Sequence, residues 1–424
     1  MRIERLGNLG SAPSVLSVLA AATTRLGLAA PAALIGEWFG SRAVIAPTLQ
    51  ASEVATSDVF DAAPGNHIAP GNHVDGPVGG GWFGYLSYPD GAADGQGPRI
   101  PRAAGGWSDT VLRCDANGTW WHESLSGAAL SDWIADALQT PPIHRDTVID
   151  WGEADRAAHH RGVLACLEAI GAGEVYQACV CTQFTGVLDG DPLDFFLNAV
   201  ARTAPARAAY VAGDWGAVAS LSPELFLRRR GESVTSSPIK GTLPAHADPA
   251  GLRASVKDVA ENIMIVDLVR NDLGRIARTG TVSVHELLAV RPAPGVWHLV
   301  STVSAQVPVE LKMTAVLDAT FPPASVTGTP KTRARELLTG WEPRRRGVYC
   351  GTVGLASPMA GCELNVAIRT VEFAADGTAI LGVGGGITAD SVPAREWEEC
   401  LHKAIPIIGR AGDSAQSRAR RTAS

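Results

Sequence analysis

The chain predicts an α+β fold with largely antiparallel sheets. Two observations carry this: strand-like segments come in adjacent runs separated by single helical stretches, and no alternating βαβ pattern develops. A third is composition. Of 424 residues, 46% are hydrophobic and 46 are glycine, enough for a large core with many turns and close backbone approaches. At about 150 residues per domain the length would allow two or three units. A shift in pattern near residue 150 separates a more divergent part, 1–150, from a regular region, 151–409. The arginine-rich end, 410–424, reads as a disordered tail.

Taken in order, residues 15–22 suit a short helix. A secretion signal fits poorly there, because Ser17 interrupts the apolar run and Glu4 lies in its basic flank. Residues 42–46 and 79–85 read as strands, 88–106 as a Gly/Pro/Asp loop, and 128–138 as a helix stopped by Pro141 and Pro142. Next come a helix over 157–170, a strand over 175–184 and a helix over 192–203. Strands follow over 207–211, 217–221 and 225–228. The spacing then predicts one long helix over 249–273, with Ile263, Val266 and Val269 on its apolar face. Strands at 281–288 and 296–307, a helix at 309–319, a loop at 321–331 and a helix to 339 lead to the C-terminal part. There, three strands (346–355, 363–373, 377–387) precede a last helix over 393–408.

Composition excludes several classes of function. The 36 basic residues are outnumbered by 43 acidic ones, giving a net charge of −7, so no nucleic-acid partner is expected. No apolar run reaches the roughly 18–20 residues of a membrane span. Seven cysteines form no CxxC pair, which points to reduced thiols and a cytoplasmic location. Nucleotide-binding, serine-hydrolase and zinc-protease motifs are missing, as is a cysteine in a Gly-x-Cys-x-Gly turn that could serve as a glutaminase nucleophile.

Three constellations hold chemistry. Asp258 and Glu261, and likewise Glu396 and Glu399, are spaced i,i+3, so each pair shares one helix face. Four such acids could surround a hard cation, best Mg²⁺, or could simply pair with Lys257 and Lys403 on solvated faces. Lys240 is one of only five lysines. It stands between Pro238 and Pro244 beside Gly241, in what reads as a rigid apolar loop where desolvation would favour the free amine, a nucleophile. Finally, Gly382-Val383-Gly384-Gly385-Gly386 follows a strand and could expose N–H groups as an anion nest.

Together these segments resemble the chorismate-utilising enzymes, in particular component I of aminodeoxychorismate synthases. The matching text is GEVYQ (173–177), LSPELF (221–226), PIKGT (238–242), KDVAENIMIVDLVRNDLGR (257–275), HLVS (298–301), SVTGTPK (325–331), YCGTVG (349–354), AIRT (367–370), the glycine segment and EWEECLHK (396–403). It covers about 155–408. The resemblance implies one large sandwich of two mainly antiparallel sheets flanked by helices. It also implies Mg²⁺ held by Glu261 and Glu399, with Asp258 and Glu396 in support. Chorismate would lie against Gln177, His298, Thr329, Tyr349, Arg369, Lys403 and the N–H groups of Gly384, Gly385 and Gly386. Glu224 matches the general acid that protonates the departing 4-hydroxyl.

PIKGT separates sister activities. Anthranilate synthases usually carry PIAGT, whereas a lysine here implies that its amine attacks C2 before ammonia adds at C4. The expected product is 4-amino-4-deoxychorismate, for 4-aminobenzoate and folate synthesis, with ammonia supplied from glutamine by a partner amidotransferase. Anthranilate synthase, isochorismate or salicylate synthase, and a catalytically silent chorismate-binding subunit are the alternatives. Gln177 counts against the isochorismate and salicylate activities, whose enzymes usually have a lysine there. Leu34-Ile35-Gly36-Glu37 replaces the LLES of tryptophan-regulated relatives, so tryptophan feedback is not expected. Pro323-Ala324 replaces glycines before SVTGTPK and should stiffen that loop.

Overall fold

The computed structural model describes residues 1–61, 76–90 and 97–409. The tail at 410–424 and part of the loop at 88–106 lie outside them. Two large sheets dominate, and every strand pairing in both is antiparallel. One sheet runs in the order Arg2–Gly7, Trp120–Ser124, Thr110–Cys114, Ser41–Ala46, Ala32–Trp38, Arg207–Gly213, Gly216–Ser222, Thr370–Ala374, Thr378–Ile387, Gln177–Asp189 and Gly328–Thr329. The other runs Ile239–Pro244, Val296–Gln306, Ser233–Ser237, Leu225–Arg230, Gly361–Asn365, Thr352–Ser357, Gly81–Leu86, Ala103–Ser108 and Ser52–Glu53. Strands from before residue 150 form one end of each sheet and later strands the other, joined where Ala32–Trp38 pairs with Arg207–Gly213 and Gly81–Leu86 with Thr352–Ser357, so the N-terminal part builds the same body.

Between the sheets lies a core that includes Leu34, Phe83, Tyr85, Val211, Val218 and Leu355, all essentially inaccessible to water. Helices Ala12–Leu26 and Pro192–Thr203 cover the outer face of the first sheet, where Leu16, Leu19, Phe196 and Tyr210 are buried together. Helices Val256–Gly274 and Met313–Thr320 pack on the second through Ile265, Val269, Val316 and Val303. Among the described residues no helix is long and apolar enough to cross a membrane.

Several expectations need correction. The loop expected over 88–106 ends in the strand Ala103–Ser108, and the strand expected over 346–355 begins only at Thr352. The helix expected over 249–273 is two, Ala250–Ala254 and Val256–Gly274. Ser255 is extended between them, and its hydroxyl accepts from the Asp258 N–H at 3.2 Å, the usual act of an N-cap. Ile263 is 46% exposed; the buried stripe is Ile265, Val266, Leu268 and Val269. The strand expected over 363–373 is also two, Gly361–Asn365 in one sheet and Thr370–Ala374 in the other, because the chain changes sheet at 366–369. Finally, Lys240 sits in a strand, Ile239–Pro244, rather than a loop.

Candidate active site

Two crossings between the sheets place the first functional groups. One is the Pro223-Glu224 link, the other the 366–369 link. They hydrogen-bond to each other: Val366 N–H donates to the Glu224 carbonyl at 3.1 Å, and Leu221 N–H to the Arg369 carbonyl at 3.0 Å. Arg369 adopts φ 51°, a left-handed conformation costly for a side-chain-bearing residue and concentrated at functional sites. Glu224 is 3% exposed. Burial pushes its carboxyl up to about 7, against the opposing pull of the Ser325 hydroxyl, Lys240 and Arg369. Near neutrality it therefore holds a proton it can give.

The second sheet supplies Lys240 and His298. Ile239 pairs with Val300 and Thr242 with His298, so Lys240 and Gly241 together face a single residue, Leu299. This is a β-bulge, and Gly241 supplies its positive φ of 95°. The bulge breaks strict alternation and re-aims the lysine. Lys240 Nζ lies 3.9 Å from Glu261 Oε2, with both side chains about nine-tenths buried. His298 is buried; burial, with the nearby Arg369 charge, pulls its imidazole down to about 4, so the ring is neutral at pH 7.

Opposite stands the glycine segment. Its residues belong to the Thr378–Ile387 strand, paired Gly384 to Cys181, Gly385 to Val180 and Gly386 to Cys179. The strand expected over 377–387 is present, and none of these glycines has the positive φ of a turn nest. The absent β-carbons make room instead. One at Gly386 would fall 3.1 Å from both Lys240 Nζ and Gln177 Oε1 and 3.3 Å from Glu261 Oε2. One at Gly385 would lie 3.2 Å from Glu396 Oε2 and 3.5 Å from Glu399 Oε1. At Gly382 it would strike the buried Tyr349 ring at 2.2 Å. The glycines are thus the floor on which acids, lysine and glutamine converge.

The acid pairs meet here with lysines between them. Lys257 is 3.8 Å from Glu261 and 3.3 Å from Glu396; Lys403 is 2.7 Å from Glu399 and donates to the Gly384 carbonyl at 2.6 Å. Burial, together with Glu399 and Asp258, raises the Glu261 carboxyl although Lys240 and Lys257 oppose it. Burial pushes Glu399 up as well, yet Lys403 holds it below the ordinary value. Glu396 Oε1 accepts from Ser391, while its buried Oε2 has no partner. Asp258 lies one turn earlier, against Gly241, within the same cavity. Among the described residues no three His, Cys, Asp or Glu side chains form a ready-made metal cluster. Two carboxylates beside an orphaned third oxygen nevertheless suit Mg²⁺, which takes one or two carboxylates and completes its shell with water and substrate.

Glu224, Lys240, Asp258, Glu261, His298, Tyr349, Arg369, Glu399, Lys403 and residues 384–386 all line one cavity of about 1760 Å³. Gln177 and Thr329 pair across adjacent strands beside it, and both Gln177 Oε1 and Thr329 Oγ1 are buried without partners. Sequence reasoning gave no role to Thr242, whose hydroxyl meets His298 Nδ1 at 2.9 Å, or to Ser325. Both sit inside quoted motifs, but only the bulge and the fold of the 321–331 segment bring them to the site.

A family model described as chorismate binding enzyme matches residues 37–409. The chain belongs to that family. Aminodeoxychorismate synthase component 1 of Escherichia coli K12 is 34% identical over 80% of this chain and 79% of its own. The Klebsiella aerogenes protein of the same name is 42% identical over 56% of this chain, a match spanning about half (54%) of that relative. Anthranilate synthase component I from Streptococcus pneumoniae superposes with a TM-score of 0.71 at 24% identity, covering 90% of this chain and 91% of the other. That likeness shows the fold alone, and it agrees with the two-sheet α+β architecture. The model match reaches back to residue 37, well before the region where the motifs were legible.

Proposed function

We propose that this member of the chorismate binding family makes 4-amino-4-deoxychorismate from chorismate and ammonia through an adduct on Lys240. One observation carries the reading: Lys240 Nζ faces the glycine floor in the same cavity as the buried, proton-bearing Glu224. The Lys240 amine attacks ring C2, the two ring double bonds shift, and the C4–O bond breaks. Glu224 gives its proton to the departing hydroxyl, which leaves as water, and then accepts the proton released by the new C2–N bond. Ammonia next adds at C4, the double bonds shift back and the C2–N bond to lysine breaks. One proton from the added nitrogen returns to the lysine amine. Splitting the exchange in two puts nitrogen where oxygen was without direct displacement at C4.

The substrate is a dianion, and Arg369, Lys403 and neutral His298 are the groups suited to its carboxylates and ring oxygens. Mg²⁺, held by Glu261 and Glu399 with Asp258 and Glu396 in support, would supply fixed positive charge for one carboxylate. The relatives' "component 1" designation supports a second subunit, read here as an amidotransferase that provides ammonia from glutamine. A cytoplasmic place in 4-aminobenzoate and folate synthesis follows from the same reading.

The test is product identity. Chorismate, ammonium and Mg²⁺ should yield 4-amino-4-deoxychorismate by mass and NMR, and omission of Mg²⁺ should abolish turnover. Anthranilate or isochorismate as the sole product rejects the assignment; no turnover with chorismate still bound establishes a silent binding subunit.

A further inference from the structure

His298 touches the protein through one ring nitrogen only. Nδ1 lies 2.9 Å from the Thr242 hydroxyl, while Nε2 is buried without a hydrogen-bond partner in the cavity wall. A neutral imidazole carries one N–H and one lone pair, so whatever Thr242 does at Nδ1 decides what Nε2 offers. Thr242 Oγ1 has no other hydrogen bond among the described residues. The cavity also holds the cations Arg369 and Lys403, which suit a ligand rich in anionic oxygens. A lone pair facing such oxygens would repel them; an N–H would bind one.

We propose that Thr242 is a positioning residue whose hydroxyl donates to His298 Nδ1, holding the ring as the Nε2–H tautomer and presenting one hydrogen-bond donor to a ligand oxygen. The ligand's identity rests on the chorismate reading, but the tautomer does not. The bulge at Lys240 and Gly241 gives the arrangement its economy, since the distortion that re-aims the lysine also sets Thr242 opposite His298.

The experiment is ¹⁵N NMR of histidine-labelled, ligand-free protein, with the His298 resonances assigned by their loss in His298→Gln. Wild type and Thr242→Ser should show protonated Nε2 and bare Nδ1, and Thr242→Val should lose that uniformity. With chorismate, Thr242→Val should lower kcat about tenfold with KM changed less than about twofold, and Thr242→Ser should restore most of it. A wild-type ring protonated at Nδ1 overturns the proposal even if Thr242→Val does not fold. So does a Thr242→Val protein with the wild-type tautomer and rate. Because the spectra need no turnover, an unexpected product would sink the proposed reaction while leaving the tautomer assignment to stand or fall separately.

Discussion

The proposed chemistry turns on two buried side chains, Glu224 and Lys240. Glu224 carries its proton up to about 7, so the acid form predominates below neutrality and is lost as pH rises through that value. The rate of C4–O cleavage should therefore fall on the alkaline side of pH 7. A Glu224→Gln variant, whose amide cannot transfer a proton, should lose about 10²–10⁴-fold in rate together with that limb. A limb surviving unchanged in Glu224→Gln would belong to another group. Lys240 is tested separately. Lys240→Ala should reduce the 4-amino product at least about a hundredfold, a loss of roughly 3 kcal/mol in transition-state stabilisation, or divert amination to C2. Full retention, followed by mass spectrometry, removes the covalent role. These residues were legible from sequence because each lies in a short contiguous motif. Thr242 was hidden for the opposite reason: its partner is 56 residues away, and the bulge that joins them leaves no mark beyond one glycine.

At the level of elements, the sequence pattern succeeded where a helix or strand has one environment throughout its length. Pro192–Thr203 and Pro393–Ile408 start and stop where proline, caps and apolar spacing place them. It failed where tertiary structure interrupts a continuous pattern. Apolar spacing runs through Ser255, yet the chain bends there to bring Asp258 and Glu261 to the cavity, and the cap satisfies one of the N–H groups that the bend frees, that of Asp258. Ser255→Ala should cost about 1 kcal/mol, seen as a lower denaturation midpoint, whereas Ser255→Asp should keep it. Equal midpoints for Ser255→Ala and wild type would show that the break is held by packing alone. Similarly, residues 363–373 have strand composition throughout; only the need to pass between sheets breaks them, and no local signal records that need. The glycine segment lies, as expected, in a strand over 377–387, found as Thr378–Ile387, but the anion nest also expected there is not formed by positive-φ glycines. Here each missing β-carbon leaves space for a neighbour across a flat strand.

Across the whole molecule, the two sheets are tied at a charged cluster that no sequence motif announces. Glu363, on the Gly361–Asn365 strand of the second sheet, is fully buried. It accepts from Arg207 of the first sheet at 3.1 Å, from Arg228 at 2.6 Å and from the Phe39 N–H at 3.0 Å, while Arg207 also lies over the Trp38 ring. Burial alone would raise this carboxyl, but Arg207 and Arg228 outweigh it and hold it below the usual range. Glu363→Gln would leave Arg207, 6% exposed, without its directly bonded counter-charge. Breaking a buried pair costs about 3–5 kcal/mol; the lower end applies because Arg228 is a third exposed and its share is screened by solvent. The sign with pH follows from the depressed value. An unfolded carboxylate titrates near ~4.3, so the stabilisation is complete above that pH and disappears as pH falls through the lower folded value. Denaturant midpoints of wild type and Glu363→Gln should thus lie well apart at pH 7 and converge below pH ~4. A gap that stays constant into acid would mean that the loss is one of packing rather than charge, and that the sheets are held together by their apolar faces without this tie.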